Sequence, residues 1–140
     1  MPTPSGQTIR RAIERHVELW NAGDKEAWLA AWRATAPGGL SSFEDPVGTP
    51  PKRGWEVLSE AWDQSPAEDW KLMLQNLIVC GNEGAAFIRN EGKIQGKPAV
   101  VESIEIYRIA DDGSLEVKTY WDIPEGSEYG AWVSEAGAGD

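Results

Sequence analysis

Leu72-Met73-Leu74-Gln75-Asn76-Leu77-Ile78-Val79 is the stretch at which the chain changes period. Leu72, Leu74, Asn76 and Ile78 alternate with Met73, Gln75, Leu77 and Val79, the two-residue rhythm of an extended strand. Cys80 follows directly on Leu77-Ile78-Val79 and reads as a buried strand thiol. Downstream the rhythm persists. Residues 85–94 mix apolar and charged positions with the same period, and Gln95-Gly96-Lys97-Pro98 makes a hairpin connection to 99–109. Ala110-Asp111-Asp112-Gly113-Ser114 makes another, leading to a last strand over 115–122.

Upstream the period is helical. Over 7–21, Ile9, Ala12, Ile13, Val17 and Trp20 recur three and four residues apart, with Arg10, Arg11, Glu14, Arg15 and Glu18 between them. Asn21-Ala22-Gly23-Asp24 stops this helix with a glycine able to turn left-handed and starts the next with an Asp cap. In that second helix Trp28, Ala31 and Trp32 share a face, until Ala36-Pro37-Gly38-Gly39 breaks it. Trp55, Leu58, Ala61 and Trp62 again repeat at helical spacing and end at Ser65-Pro66. Three helices followed by an antiparallel meander predict an α+β domain over residues 1–123, its helices packed on one face of a curved sheet. Residues 124–140 are acidic and Gly/Ala-rich and are expected as a loose tail, apart from Tyr129, Trp132 and Val133, which have the character to fold back.

A chain of 140 residues suits one domain with its own core. Thirteen Lys and Arg against 23 Asp and Glu give a net charge of −10, which opposes binding to nucleic acid or anionic membranes. No apolar run is long enough to span a bilayer, and Met1-Pro2-Thr3-Pro4-Ser5-Gly6 lacks the charged-then-apolar order of a signal peptide. A cytoplasmic protein is therefore expected, without nucleic-acid or membrane partners. The single cysteine fits a reducing compartment. With one histidine, one cysteine and no ligand spacing, no metal site is expected. Eight tryptophans are many for this length and suit a deep apolar pocket, an oligomer interface or a core.

Three polar residues stand out. In Phe43-Glu44-Asp45-Pro46-Val47-Gly48-Thr49-Pro50-Pro51, Pro46 disfavours a helical Asp45, which should end a short strand beside an irregular loop. A carboxylate there, incompletely solvated, is placed for a tuned pKa, although Asp-Pro also starts ordinary turns. His16 falls on the apolar side of the first helix, next to Ile13 and Trp20, where a core-edge imidazole is the plain alternative to a functional one. Glu105, with Ser103 and Tyr107 on its strand face, reads by itself as a solvated carboxylate.

Taken together, Asn21-Ala22-Gly23-Asp24, Phe43-Glu44-Asp45-Pro46-Val47-Gly48, Lys52-Arg53-Gly54 and Glu105-Ile106-Tyr107-Arg108 resemble the bacterial ketosteroid isomerases. These belong to the cone-shaped domains that resemble nuclear transport factor two, a superfamily that also holds SnoaL-like polyketide cyclases and limonene epoxide hydrolase. The resemblance spans 9–121 and implies a bent antiparallel sheet wrapped around three N-terminal helices, leaving a deep apolar pocket. It implies a cofactor-free enzyme moving a proton α to the carbonyl of a hydrophobic, steroid-like or polycyclic ketone. A pocket Asp is the base in that family, while a Tyr and a protonated acid bind the dienolate oxygen. The base carries over to Asp45, the acid to Glu105 through the pattern of 100–108, and the Tyr position to His16, a change of chemistry. Trp32 and Trp62 stand where some members place supporting tyrosines; with Tyr107, Trp121 and Asp122 they are expected to contact substrate. Asp122 is also the candidate acid of a polyketide cyclase or hydratase. The remaining alternative is a non-catalytic ligand-binding module. Ile104 and Ile106, opposite Glu105 in the pleat, suit a homodimer through the sheet face.

Overall fold

The computed structural model describes residues 5–64, 68–94 and 96–122. The expected tail, the Ser65-Pro66 stop and Gln95 of the first hairpin lie outside the described residues. The elements in order are α1 (Gly6–Ala22), α2 (Lys25–Thr35), β1 (Leu40–Glu44), α3 (Trp55–Asp63), β2 (Glu68–Cys80), β3 (Glu83–Ile94), β4 (Lys97–Ile109) and β5 (Leu115–Asp122). Ser5 caps α1 through its hydroxyl. At the other end Gly23, with φ of 72°, returns its N–H to Leu19 and Trp20, and the Asp24 carboxylate accepts from the Ala27 N–H at 3.1 Å to start α2.

The five strands form one sheet in the order β1-β5-β4-β3-β2. From β2 to β5 it is the expected antiparallel meander, but β1 joins it parallel to β5. A strand that arrives between two helices has no hairpin partner, so it pairs where the last strand leaves an open edge. The three helices and the curved, open sheet make the cone-shaped α+β fold. Its core runs from Ile9, Ile13 and Val17 of α1 through Trp28, Leu29 and Trp32 of α2 to Ile88, Tyr107, Leu115 and Val117 of the sheet. Gly84 lets α1 approach β3 closely; a Cβ there would lie 2.5 Å from the Ile13 Cδ1. The last turn of α1 is fastened to β2 by Asn21, whose side-chain amide donates to the Leu72 carbonyl at 2.7 Å and accepts from its N–H at 2.8 Å. Among the described residues no helix is long and apolar enough to cross a membrane.

Cys80 corrects an expectation, since it is exposed. The pairing of β2 with β3 slips between Leu74 and Asn76. Before the slip Trp70, Leu72 and Leu74 pack on the core; after it Leu77 and Val79 do, and Ile78 and Cys80 turn outward. One extra residue exchanges the two faces of a strand.

Candidate active site

Between the helices and the concave side of the sheet lies a cavity of about 590 Å³, within the range of small-molecule sites. Its walls include Trp20, Trp28, Trp32, Trp70 and Trp121, and the polar groups Asp45, His16 and Glu105 all face it. The three residues singled out in the sequence are thus gathered from the end of β1, from α1 and from β4.

Asp45 is delivered by a short excursion of the chain. Phe43 and Lys52 exchange both backbone hydrogen bonds, so the segment between them doubles back, and the Val47 N–H donates to the Thr119 carbonyl at 2.7 Å. This lays Asp45 along β5, where Oδ1 accepts the Thr119 hydroxyl and the Trp121 side chain supplies a further hydrogen bond. The Asp45–Pro46 peptide is cis. Burial pushes the Asp45 carboxyl up to about 6; the negative charge of Glu105 adds to this, and the bonds from Thr119 and Trp121 and the nearby His16 oppose it. A carboxyl that titrates there is poised to give and take protons near neutrality.

Glu105 is the centre of a second network. Its Oε1 accepts the Tyr107 hydroxyl at 2.5 Å and lies 3.2 Å from His16 Nε2. The other imidazole nitrogen, Nδ1, is 2.6 Å from the Trp28 indole nitrogen. An indole N–H can only donate, so Nδ1 is the acceptor, and the proton of the neutral ring sits on Nε2 and points to Glu105. Burial and the adjacent Glu105 hold the Tyr107 phenol well above its ordinary pKa, so it remains a donor. Tyr107 stacks on Trp32 at 5.1 Å and 15°, and His16 is enclosed by Trp28, Trp32 and Tyr107 at 5.5–5.8 Å. Oε2 of Glu105 has no hydrogen-bond partner among the described residues.

Two expected contacts fall elsewhere. Trp62 does not line the cavity; it packs on Trp20 at 4.6 Å and Trp28 at 5.2 Å and supports the wall from behind. Asp122 is exposed on the outer face, opposite Glu102, because β5 turns its odd-numbered residues Leu115, Val117, Thr119 and Trp121 inward. Trp32, Tyr107 and Trp121 do line the cavity. His16 also differs from its expected use, since its one N–H is directed at Glu105 rather than left for a ligand. Three residues of the site were not anticipated: Trp28, Thr119 and Asn90. Asn90 is buried, donates to the Val101 carbonyl and the Ser103 hydroxyl at 2.9 and 2.8 Å, and lines the cavity. Thr119 was visible as a polar residue between Val117 and Trp121 in the alternation of the last strand. Among the described residues no cluster of three or more His, Cys, Asp or Glu side chains could hold a metal ion.

Known proteins agree with this architecture. A protein from Jannaschia sp. CCS1 assigned as a SnoaL-like polyketide cyclase superposes with a TM-score of 0.68 at 19% identity, over 87% of this chain and 89% of its own. SalBIII, an epoxide hydrolase/cyclase-like enzyme in pyran ring formation of the polyether salinomycin, gives 0.67 at 15% identity, over 82% and 91%. A limonene-epoxide-hydrolase-like epoxide hydrolase of M. tuberculosis gives 0.59 at 13% identity, over 83% and 84%. At such identities the likeness is one of fold. The sequence itself matches the model of the SnoaL-like domain over residues 13–116, and on that match the chain belongs to the SnoaL-like domain family, within the superfamily that resembles nuclear transport factor two.

Proposed function

We propose that the protein is a cofactor-free enzyme that moves a proton next to the carbonyl of a hydrophobic, polycyclic or steroid-like ketone. The observation that carries this is the Asp45 carboxyl, held at a pKa of about 6 inside a tryptophan-walled cavity that it shares with Glu105. Asp45, ionised, takes a proton from the carbon α to the carbonyl, and the electron pair moves onto the carbonyl oxygen. Glu105 meets that oxygen in its protonated form, with Oε1 held by Tyr107 and His16 and the Oε2–H presented to the substrate. Asp45 then gives a proton to the γ-carbon, either the one it took or one exchanged with solvent while the dienolate persists, so the double bond migrates with no net change in atoms or electrons. His16 and Tyr107 act by aiming Glu105.

Asp45→Asn is expected to lower turnover of a cyclic enone, and solvent-deuterium uptake at its α-carbon, by on the order of 10²–10⁴-fold. Undiminished exchange in that variant would end this assignment. A second chemistry is favoured by the two donors already directed at Glu105, which suit a carboxylate there: cyclisation or hydration, with Glu105 drawing the proton from a hydroxyl or water as its oxygen bonds to an electrophilic carbon, and Asp45, in its protonated form, giving its proton to the oxygen or neighbouring carbon that receives the electron pair displaced from that carbon. Glu105→Gln separates the two. An amide still donates to an enolate oxygen and retains much of an isomerase activity, whereas it cannot accept a proton and stops a cyclase.

The outer face of the sheet supports a homodimer. Ile78, Ala85 and Ile106 are aligned across three strands, as are Phe87, Ile104 and Tyr120, and the salt bridges of Arg89 with Glu91 and Glu102 border this apolar surface. A second copy of the same face is the partner assigned to it.

A further inference from the structure

We propose that Trp28 is a positioning residue that keeps His16 neutral and fixes its proton on Nε2, so that Glu105 faces a hydrogen-bond donor instead of a cation. What carries this is the direction of the network. Trp28 donates to Nδ1 at 2.6 Å, Nε2–H points to Glu105 Oε1, and Tyr107 donates to the same oxygen. A proton on Nδ1 would set two donors against each other at that distance. Trp28 cannot swing aside to relieve the clash, since it is buried and wedged against Trp20 at 5.4 Å and Trp62 at 5.2 Å.

The acidic groups around His16 lie on the sheet side. Glu105 and Tyr107 face it from β4 and Asp45 acts on it from the end of β1. The neighbours one turn away on α1, Ala12, Ile13, Leu19 and Trp20, carry no charge, and α2 contributes only the rings of Trp28 and Trp32. With Nδ1 released from the indole N–H, that nitrogen is open to a proton, and a ring carrying protons on both nitrogens would face Glu105 as a cation. Glu105 would then be fixed as a carboxylate and could not present a proton on Oε2, a consequence that rests on the role given to it above. Trp28 thus stands behind Glu105 by way of His16.

His16 is the only histidine of the chain, so ¹⁵N-histidine labelling reports it without assignment. Long-range ¹H–¹⁵N correlation of the full chain at pH 7 is expected to show one protonated nitrogen, Nε2, and one unprotonated nitrogen, Nδ1. In Trp28→Phe the Nδ1 signal is expected to move to the protonated position while Nε2 stays there. A Trp28→Phe spectrum with the wild-type pattern between pH 6 and 8 would overturn the proposal. If that variant does not fold, Glu105→Ala decides: with Trp28 in place the Nε2–H form persists, and a switch to Nδ1–H would show that Glu105 alone sets the proton. The spectra need no substrate. Should they behave as expected while Trp28→Phe turns over enone at the wild-type rate, Trp28 keeps its role and the role of Glu105 in the reaction falls.

Discussion

Asp45 carries two consequences of opposite sign. Its carboxyl rises from 3.8 to about 6 because the cavity withholds water from it. In the proposed role of base it must be ionised, so kcat/KM is expected to climb with pH through a limb near 6, and Asp45→Asn to lose on the order of 10²–10⁴-fold in kcat. A pH-independent rate between 5 and 8 would contradict this. For stability the native state binds the proton more tightly than the unfolded chain, so the contribution is present below about pH 4 and is lost as pH rises through about 6. Asp45→Asn, which keeps an oxygen to accept from Thr119, should therefore be the more stable protein at pH 7–8, by roughly 2–3 kcal/mol, with the gap closing near pH 4. Denaturation curves of both proteins at the two pH values measure the difference. Function here is held against stability, as in other sites that enclose a charge.

Strand β2 shows what a period can and cannot reveal. The sequence of helices, the Gly23 stop, the Asp24 cap and the hairpin after residue 94 were all legible, because each rests on local chemistry: spacing, a left-handed glycine, a side-chain acceptor. The slip between Leu74 and Asn76 was not, since an apolar run such as Leu77-Ile78-Val79 offers a plausible inward residue in either register. Only packing against α1 selects Leu77 and Val79. Leu77→Ala is accordingly expected to lower the unfolding free energy by about 2 kcal/mol, and Cys80 to react with a thiol reagent in the folded protein without denaturant. A thiol protected until unfolding would mean that the register lies one residue away. The site divides along the same line. Asp45, His16 and Glu105 are singled out by the family resemblance, and the fold brings all three to one cavity. Trp28 and Thr119 belong to the site through contacts 12 and 74 residues away in the chain, which periodicity does not register. Asp122 was misplaced because a carboxylate next to Trp121 says nothing about which of the two faces inward.

The domain presents two apolar surfaces, one enclosed and one open. Ile78 and Tyr120 are 55% and 45% exposed on the convex face, and neither touches the cavity. Ile78→Asp combined with Tyr120→Lys is expected to yield a folded monomer by size exclusion with light scattering, where the wild type elutes as a dimer with an unchanged cavity. A wild-type monomer at micromolar concentration would remove the homodimer. The parallel pairing of β1 with β5 has a further effect, on the order of events during synthesis. Asp45 emerges from the ribosome 74 residues before Thr119, whose hydroxyl it needs. Until β5 has cleared the exit tunnel, β4 is an unpaired border and the reactive carboxyl has nothing to rest against. A nascent chain stalled before residue 115 would hold most of the tryptophans and both carboxyls of the site, yet not the strand that completes it.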